Sequence, residues 1–270
     1  MSAIAEAGII GARQPSGNRQ GDGEHVVRAL ITGAEGFAGS YLSRYLRAQE
    51  PDWELHGTVR FSPEAYPHLG EFLDSATPVD LRDPEAVLDL LRALRPDFIY
   101  HLAAQAFVPR SFEDPWETLE NNIRSQLNLF LAVIGLGIKP RVLVVSSGEV
   151  YGEVSPSELP ITEDFPLRPA NPYSVSKVGQ DMLALQYHLS HQLPVVRVRP
   201  FNHIGPGQHP NFVAPAFAMQ IARIERGWQE PVIRVGDLSP RRDFTDVRDV
   251  VRAYYAALIH GRAGAVYNVC

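Results

Sequence analysis

Val26-Val27-Arg28-Ala29-Leu30-Ile31-Thr32-Gly33-Ala34-Glu35-Gly36-Phe37-Ala38-Gly39 is the stretch that decides the fold. Its first seven residues are apolar and β-branched enough to read as a buried strand. Tyr41, Leu42, Tyr45 and Leu46 then recur at helical spacing. A glycine-rich turn therefore sits between a strand and a helix. Gly33 permits the tight turn. Gly36 lets a pyrophosphate approach the helix N-terminus, where free N–H groups and the dipole favour an anion, and Gly39 lets the helix lie close to the strand. The spacing Gly-x-x-Gly-x-x-Gly is one residue wider at its start than the common dinucleotide fingerprint. With strand, turn and helix all in place, it reads as a cofactor-binding turn rather than a plain one.

Outward from this turn, strands and helices alternate as far as about His191, which predicts an α/β fold with a doubly wound parallel sheet. Glu54 to Val59 is the second strand. An NAD-selective site usually carries an acid at its end, holding the ribose 2′-hydroxyl. This chain has Arg60 there, and a guanidinium suits a 2′-phosphate, so the reading leans to NADP(H) with NAD(H) kept as the alternative. Val79-Asp80 ends a third strand. Asp80 is a candidate for the adenine amino group, or else part of a helix-capping turn with Asp83 and Pro84.

Phe98 to Ala104 is a fourth strand with a small-residue exit that would let a cofactor pass close to the backbone. His101, at its end, reads as structural more readily than catalytic. The nine histidines form no metal-ligand spacing, and no metal site is expected. Asn122 falls within an apolar helix and either braces a site or sits at the surface. Val142 to Val145 is a fifth strand, and Ser147 follows at its carboxyl end, the edge where open α/β sheets bind ligands. A polar, proline-rich loop, 155–172, leads to Tyr173. Lys177 lies four residues on, one above the other on a helix, and an ammonium beside a phenol is expected to lower its pKa. Such a pair on an exposed helix is commonly no more than a surface pair. Beyond it, 194–199 reads as a sixth strand, 212–226 as a helix, 232–235 as a short strand, and 265–269 as a last strand.

Composition narrows the classes. The chain has 270 residues, 45% of them hydrophobic, and a formal net charge of −6. That charge draws neither nucleic acid nor an anionic membrane, and neither is expected as a partner. One cysteine, Cys270, rules out an internal disulfide and fits a cytoplasmic protein. No apolar run approaches the ~18 residues of a membrane span. Residues 1–24 lack periodicity and read as a mobile leader.

Thr32 to Gly39, Ser147, Tyr173 and Lys177 together resemble the extended short-chain dehydrogenase/reductase family, the NAD-dependent epimerase/dehydratases. Narrower stretches, His101 to Gln105, Ser146 to Gly152, Arg199 to Gln208 and Arg242-Asp243-Phe244, resemble the GDP-4-dehydro-6-deoxy-D-mannose reductases. The resemblance implies a Rossmann sheet over 25–198, with 236–260 packing back on it. It implies a smaller substrate lobe from 199–235 and 261–270, apparently truncated at its C-terminus. It implies reduction of a GDP-linked 4-keto sugar to GDP-D-rhamnose by a Ser147, Tyr173 and Lys177 triad. Cofactor contacts would come from Gly33, Gly36, Phe37, Gly39, Arg60, Asp80, Leu81, Leu102, Ala103, Ala104, Tyr173 and Lys177. Substrate contacts would come from Gln105, Ser147, Asn202 and Arg242. A homodimer or homotetramer is expected, with Leu127, Phe130, Met182 and Leu185 as candidates for its interface or for the core.

Other readings are weighed against this one. A GDP-mannose 4,6-dehydratase would use Glu149 as base and needs an acid for the departing hydroxyl. Related dehydratases carry a hydroxyl or carboxyl side chain just before that glutamate, where this chain has Gly148. A nucleotide-sugar 4-epimerase would retain NAD, which Arg60 disfavours. A non-catalytic dinucleotide sensor would have no need of the triad.

Overall fold

The computed structural model describes residues 25–270; the leader assigned to 1–24 lies outside the described residues. Nine strands are described: β1 (Arg28–Thr32), β2 (Glu54–Val59), β3 (Ser75–Pro78), β4 (Phe98–His101), β5 (Arg141–Val145), β6 (Val195–Pro200), β7 (Asn202–Ile204), β8 (Phe244–Asp246) and β9 (Val266–Val269). Seven of them form one sheet in the order β3-β2-β1-β4-β5-β6-β9, and every neighbouring pair is parallel. The expected doubly wound parallel sheet is therefore the fold.

The period of two along each strand sorts side chains to opposite faces. Ile31, Tyr100, Leu143 and Val196 stand opposite one another across β1, β4, β5 and β6 and share one core. Leu42 and Leu46 of α1 (Phe37–Gln49) and Val250, Val251 and Tyr254 of α8 (Val247–His260) cover that face. Leu30, Ile99, Val142 and Val195 point the other way. There they meet α2 (Pro84–Leu94), α5 (Ser125–Gly135) and α6 (Pro172–His191). A 13-residue helix such as α1 is marginal alone, so its place is set by burying Leu42 and Leu46 completely.

The short helices α3 (Val108–Glu113) and α4 (Pro115–Leu119) precede a π-helical turn at Glu120–Arg124, which runs straight into α5. The helix α7 (Val213–Glu225) lies in the chain between the two strands of a parallel ladder, β7–β8.

Two expectations change. Val232 to Val235 forms no strand. No strand lies beside it among the described residues, and Gln220 and Gln229 side chains satisfy its backbone instead: Gln220 Oε1 accepts from the Arg234 N–H at 2.8 Å, and Gln229 Nε2 donates to the Val232 carbonyl at 2.9 Å. Residues 266–269, placed by sequence in the substrate lobe, instead pair with β6 as the edge strand of the main sheet. No described helix is long and apolar enough to cross a membrane.

A buried ion network locks β6 to α6. Asp181, fully buried, accepts from Arg197 Nη1 at 2.6 Å and from Arg199 Nε at 2.7 Å. Arg199 Nη1 also donates to the Tyr151 hydroxyl at 2.9 Å, which donates to Asn268 Oδ1 at 2.7 Å. Removing the carboxylate leaves two guanidinium groups buried without their counter-charge. Asp181→Ala is expected to destabilise the protein by about 3–5 kcal/mol, read as a shift in the urea unfolding midpoint.

Candidate active site

The site begins with the start of α6. Asn171 caps it: its side-chain oxygen accepts from the Ser174 N–H at 2.7 Å, and Ser174 Oγ accepts from the Asn171 N–H at 3.1 Å. Pro172 takes the first helical position, where its missing N–H costs nothing. This double closure fixes Tyr173 in the first turn and sets Lys177 one turn later. Ser147 comes to meet them from the end of β5. It caps the 3₁₀ turn 148–151, its Oγ accepting from the Glu149 N–H at 3.1 Å, and it lies close enough to the Tyr173 phenol to act on its pKa.

The expected fall in the Tyr173 pKa does not occur. Burial dominates the phenol and pushes it up to about 12, against the opposing Ser147 hydrogen bond and with the Glu149 charge adding to the rise. Burial likewise brings the Lys177 amine down to about 7. Its Nζ lies 5.9 Å from the Tyr173 ring centroid and donates to the Val145 carbonyl at 2.9 Å and to Gln180 Oε1 at 2.8 Å. Away from water both charged forms are penalised, so phenol and amine are driven towards neutrality together.

The glycine turn fits a dinucleotide pyrophosphate. Gly33 has φ +68°, and a Cβ there would stand 2.9 Å from the Ala103 Cα. A Cβ on Gly39 would collide with the Gly33 carbonyl. Gly36 caps α1 without a side chain, and the first turn holds no acid, so the helix N-terminus is left open to an anion. Thr32 Oγ1 accepts from the Ala103 N–H at 3.1 Å, holding the exits of β1 and β4 together. The same hydroxyl shares a 2.9 Å hydrogen bond with His101 Nδ1. Burial depresses His101 to about 3, which keeps its ring neutral and matches the structural reading.

The other candidates are less evenly placed. Leu102, Ala103 and Ala104 line the β4 exit beside the turn, half-buried. Phe37 stacks on His203, centroids 6.1 Å apart, joining α1 to the segment after β6. Arg60 is exposed at the end of β2, its N–H donating to Glu35 Oε1. Asp80 is engaged by Arg82, with Nη2 to Oδ2 at 2.7 Å, while Asp83 caps α2. The Leu81 carbonyl accepts from Asn128 Nδ2 at 3.0 Å. Gln105 Nε2 is spent inside its own loop, on the Phe107 carbonyl and Thr118 Oγ1. Asn122, fully buried, donates to Ser176 Oγ at 2.9 Å and to the Gln105 carbonyl at 3.1 Å, a brace rather than a surface residue. Asn202 opens β7, and its pairing with Phe244 brings it near the exposed Arg242. Glu149 Oε2 faces Asn171 Nδ2 at 3.5 Å. Sequence reasoning passed over Gln180 and Asp181, although both sit on α6 within four residues of Lys177. It also passed over Asn268 and Glu163, which no local pattern marks.

A model of the family described as GDP-mannose 4,6 dehydratase matches residues 30–269. The chain belongs to this family. It is 43% identical over 243 residues to the GDP-6-deoxy-D-mannose reductase of Pseudomonas aeruginosa, covering 90% of this chain and 74% of that one. The structure of RMD from the same organism, complexed with NADPH, is 42% identical with a TM-score of 0.79, over 91% of this chain and 78% of that one. The dTDP-glucose 4,6-dehydratase DesIV from Streptomyces venezuelae, with NAD and TYD bound, is 31% identical with a TM-score of 0.78, over 90% and 75%. The expected NAD(P)-dependent enzyme of the short-chain dehydrogenase type is borne out, with NADP(H) as cofactor and NAD(H) as the alternative. Members of the GDP-mannose 4,6 dehydratase family share a fold; a reductase and a dehydratase can be built on it, so the reaction has to be argued from the site.

The buried amine has a measurable signature. Lys177 is lowered well below its ordinary value of 10.5, so between pH 7 and 10 the unfolded chain binds the proton and the folded chain does not. Stability then rises with pH, by at most about 1.4 kcal/mol per unit from this group. Urea unfolding of the cofactor-free protein from pH 6 to 9.5 is expected to show that rise, and Lys177→Met to flatten it.

Proposed function

We propose that the protein is an NADPH-dependent reductase of the 4-keto group of GDP-4-dehydro-6-deoxy-D-mannose, giving GDP-D-rhamnose. The observation that carries the choice of reaction is at Gly148. A Cβ there would lie 3.0–3.2 Å from the Phe201 ring, so the wall beside Glu149 has no side-chain acid, and one could be added only by pushing that ring aside. Elimination of water needs such an acid to protonate the departing hydroxyl. Reduction does not. The 43% identity to a GDP-6-deoxy-D-mannose reductase supports the same choice.

With its pyrophosphate held at the glycine turn, NADPH would supply the hydride. Tyr173, protonated at neutral pH because its phenol stands near 12, gives its proton to the substrate oxygen as negative charge develops there. Ser147, beside that phenol, donates to the same oxygen. Lys177 can carry a proton near neutrality and so balances a phenolate when one forms; it would also hold the nicotinamide ribose. Asn202 and Arg242 take the nucleotide sugar, the guanidinium on the diphosphate. Residues 199–235 form the substrate-facing part of the chain, and the protein works in the cytoplasm.

The helices α5 and α6 expose Leu131, Ile134, Val175 and Met182, which suits pairing of two copies into a dimer. Phe130 belongs to the core instead, packed 4.9 Å from Tyr187. Leu131→Asp with Met182→Asp is expected to give a monomer by light scattering.

The reaction is tested by incubating the protein with NADPH and GDP-4-dehydro-6-deoxy-D-mannose, following nicotinamide absorbance and identifying the product by NMR. GDP-D-rhamnose is expected, with Tyr173→Phe lowering the rate by roughly 10²–10⁴-fold. Dehydration of GDP-mannose in a parallel incubation, with the keto sugar inert, would instead make Glu149 a base and the enzyme a lyase.

A further inference from the structure

The end of β2 carries a carboxylate after all. Arg60 occupies the sequence position after Val59, but its backbone N–H donates to Glu35 Oε1 at 2.9 Å. Glu35 comes from the neighbouring β1–α1 turn, between Gly33 and Gly36. Its carboxylate therefore stands where a dinucleotide fold expects an acid on the adenosine ribose. The other oxygen, Oε2, is closed off from solvent and has no hydrogen-bond partner among the described residues. An ionised carboxylate only accepts, and a buried acceptor left unpaired is costly, so a turn of this partly buried side chain that presents Oε2 to a donor is favoured. A ribose hydroxyl donates. A 2′-phosphate does not, and its charge is repelled by the carboxylate while the exposed Arg60 guanidinium attracts it.

We propose that Glu35 is a coenzyme-specificity residue: its carboxylate accepts from the adenosine 2′-hydroxyl and keeps NAD(H) usable at a site where Arg60 favours NADP(H). Two opposed readers, one anionic and one cationic, then meet the same ribose carbon. This rests on the dinucleotide-binding reading of the glycine turn.

The test is binding, read without turnover. The purified protein, Glu35→Gln and Arg60→Gln are titrated with NADH and NADPH by nicotinamide fluorescence. Glutamine keeps an oxygen for the Arg60 N–H, so the turn is retained while the charge is lost. Glu35→Gln is expected to weaken NADH about fivefold, to tighten NADPH, and so to move the Kd ratio about tenfold or more towards NADPH. Arg60→Gln is expected to move it the other way. A ratio within about twofold of the parent in Glu35→Gln, with both dinucleotides bound, overturns the proposal. Should that variant not fold, the parent alone decides. AMP is expected to displace NADH about fivefold better than 2′-deoxy-AMP, and equal displacement overturns the proposal. If neither dinucleotide binds the parent, the dinucleotide reading itself fails, and this inference with it.

Discussion

Strands β1 and β4 are hydrogen-bonded neighbours, yet the chain leaves them in opposite directions, towards β2 on one side and β5 on the other. That divergence opens a crevice at the carboxyl edge of the sheet, and the rest of the structure is arranged around it. Gly33 at the exit of β1 touches Ala103 at the exit of β4, and Thr32 ties the two together. No side chain could stand at Gly33 without displacing the β4 exit. The same edge receives Ser147 from β5 and, through the capped start of α6, Tyr173. Helix, strand and glycine turn thus deliver their chemistry to one place because the strand order leaves only one place for it.

How much of this was legible in the sequence depended on the distance over which each feature is determined. The glycine turn, the alternation of apolar strands and the Asn171 cap are local, and residues within a few positions of one another carry them. The strand expected at Val232 to Val235 failed because a strand is a relation between two segments, and here the apolar pattern has no partner. Lys177 was rightly placed over Tyr173, but the phenol moves up rather than down, since spacing says nothing of burial. Gln105 was expected to reach substrate, yet the structure turns its amide into its own loop. Glu35 carries no mark of its own in the sequence, because the Arg60 N–H that bonds it lies 25 positions away. The Asp181 network, spread over α6, β6, the 148–151 turn and β9, left no local trace at all.

Tyr173 and Lys177 are displaced in opposite directions by one cause, and this has a chemical use. The phenol is held in its protonated form, and the amine beside it is brought close to neutrality. Neither can change its charge alone without paying for it in a dry surrounding. Gly148, pressed under Phe201, brings no acid of its own to that wall.

The hydrogen bond from Tyr151 to Asn268 joins residues 117 positions apart. Tyr151 closes the short turn that carries Gly148 and Glu149 and is capped by Ser147, and Asn268 sits on β9, which also receives the Glu163 carboxylate on its backbone N–H at 2.7 Å. Such long-range pairings pay the loop-closure entropy before they are rewarded, so they form late. On the ribosome, the partners of the glycine turn are complete once β4 and Ala103 have emerged, whereas the wall holding Ser147 waits for Asn268, made more than a hundred positions later. A nascent chain can therefore have its glycine turn in place well before that wall is finished.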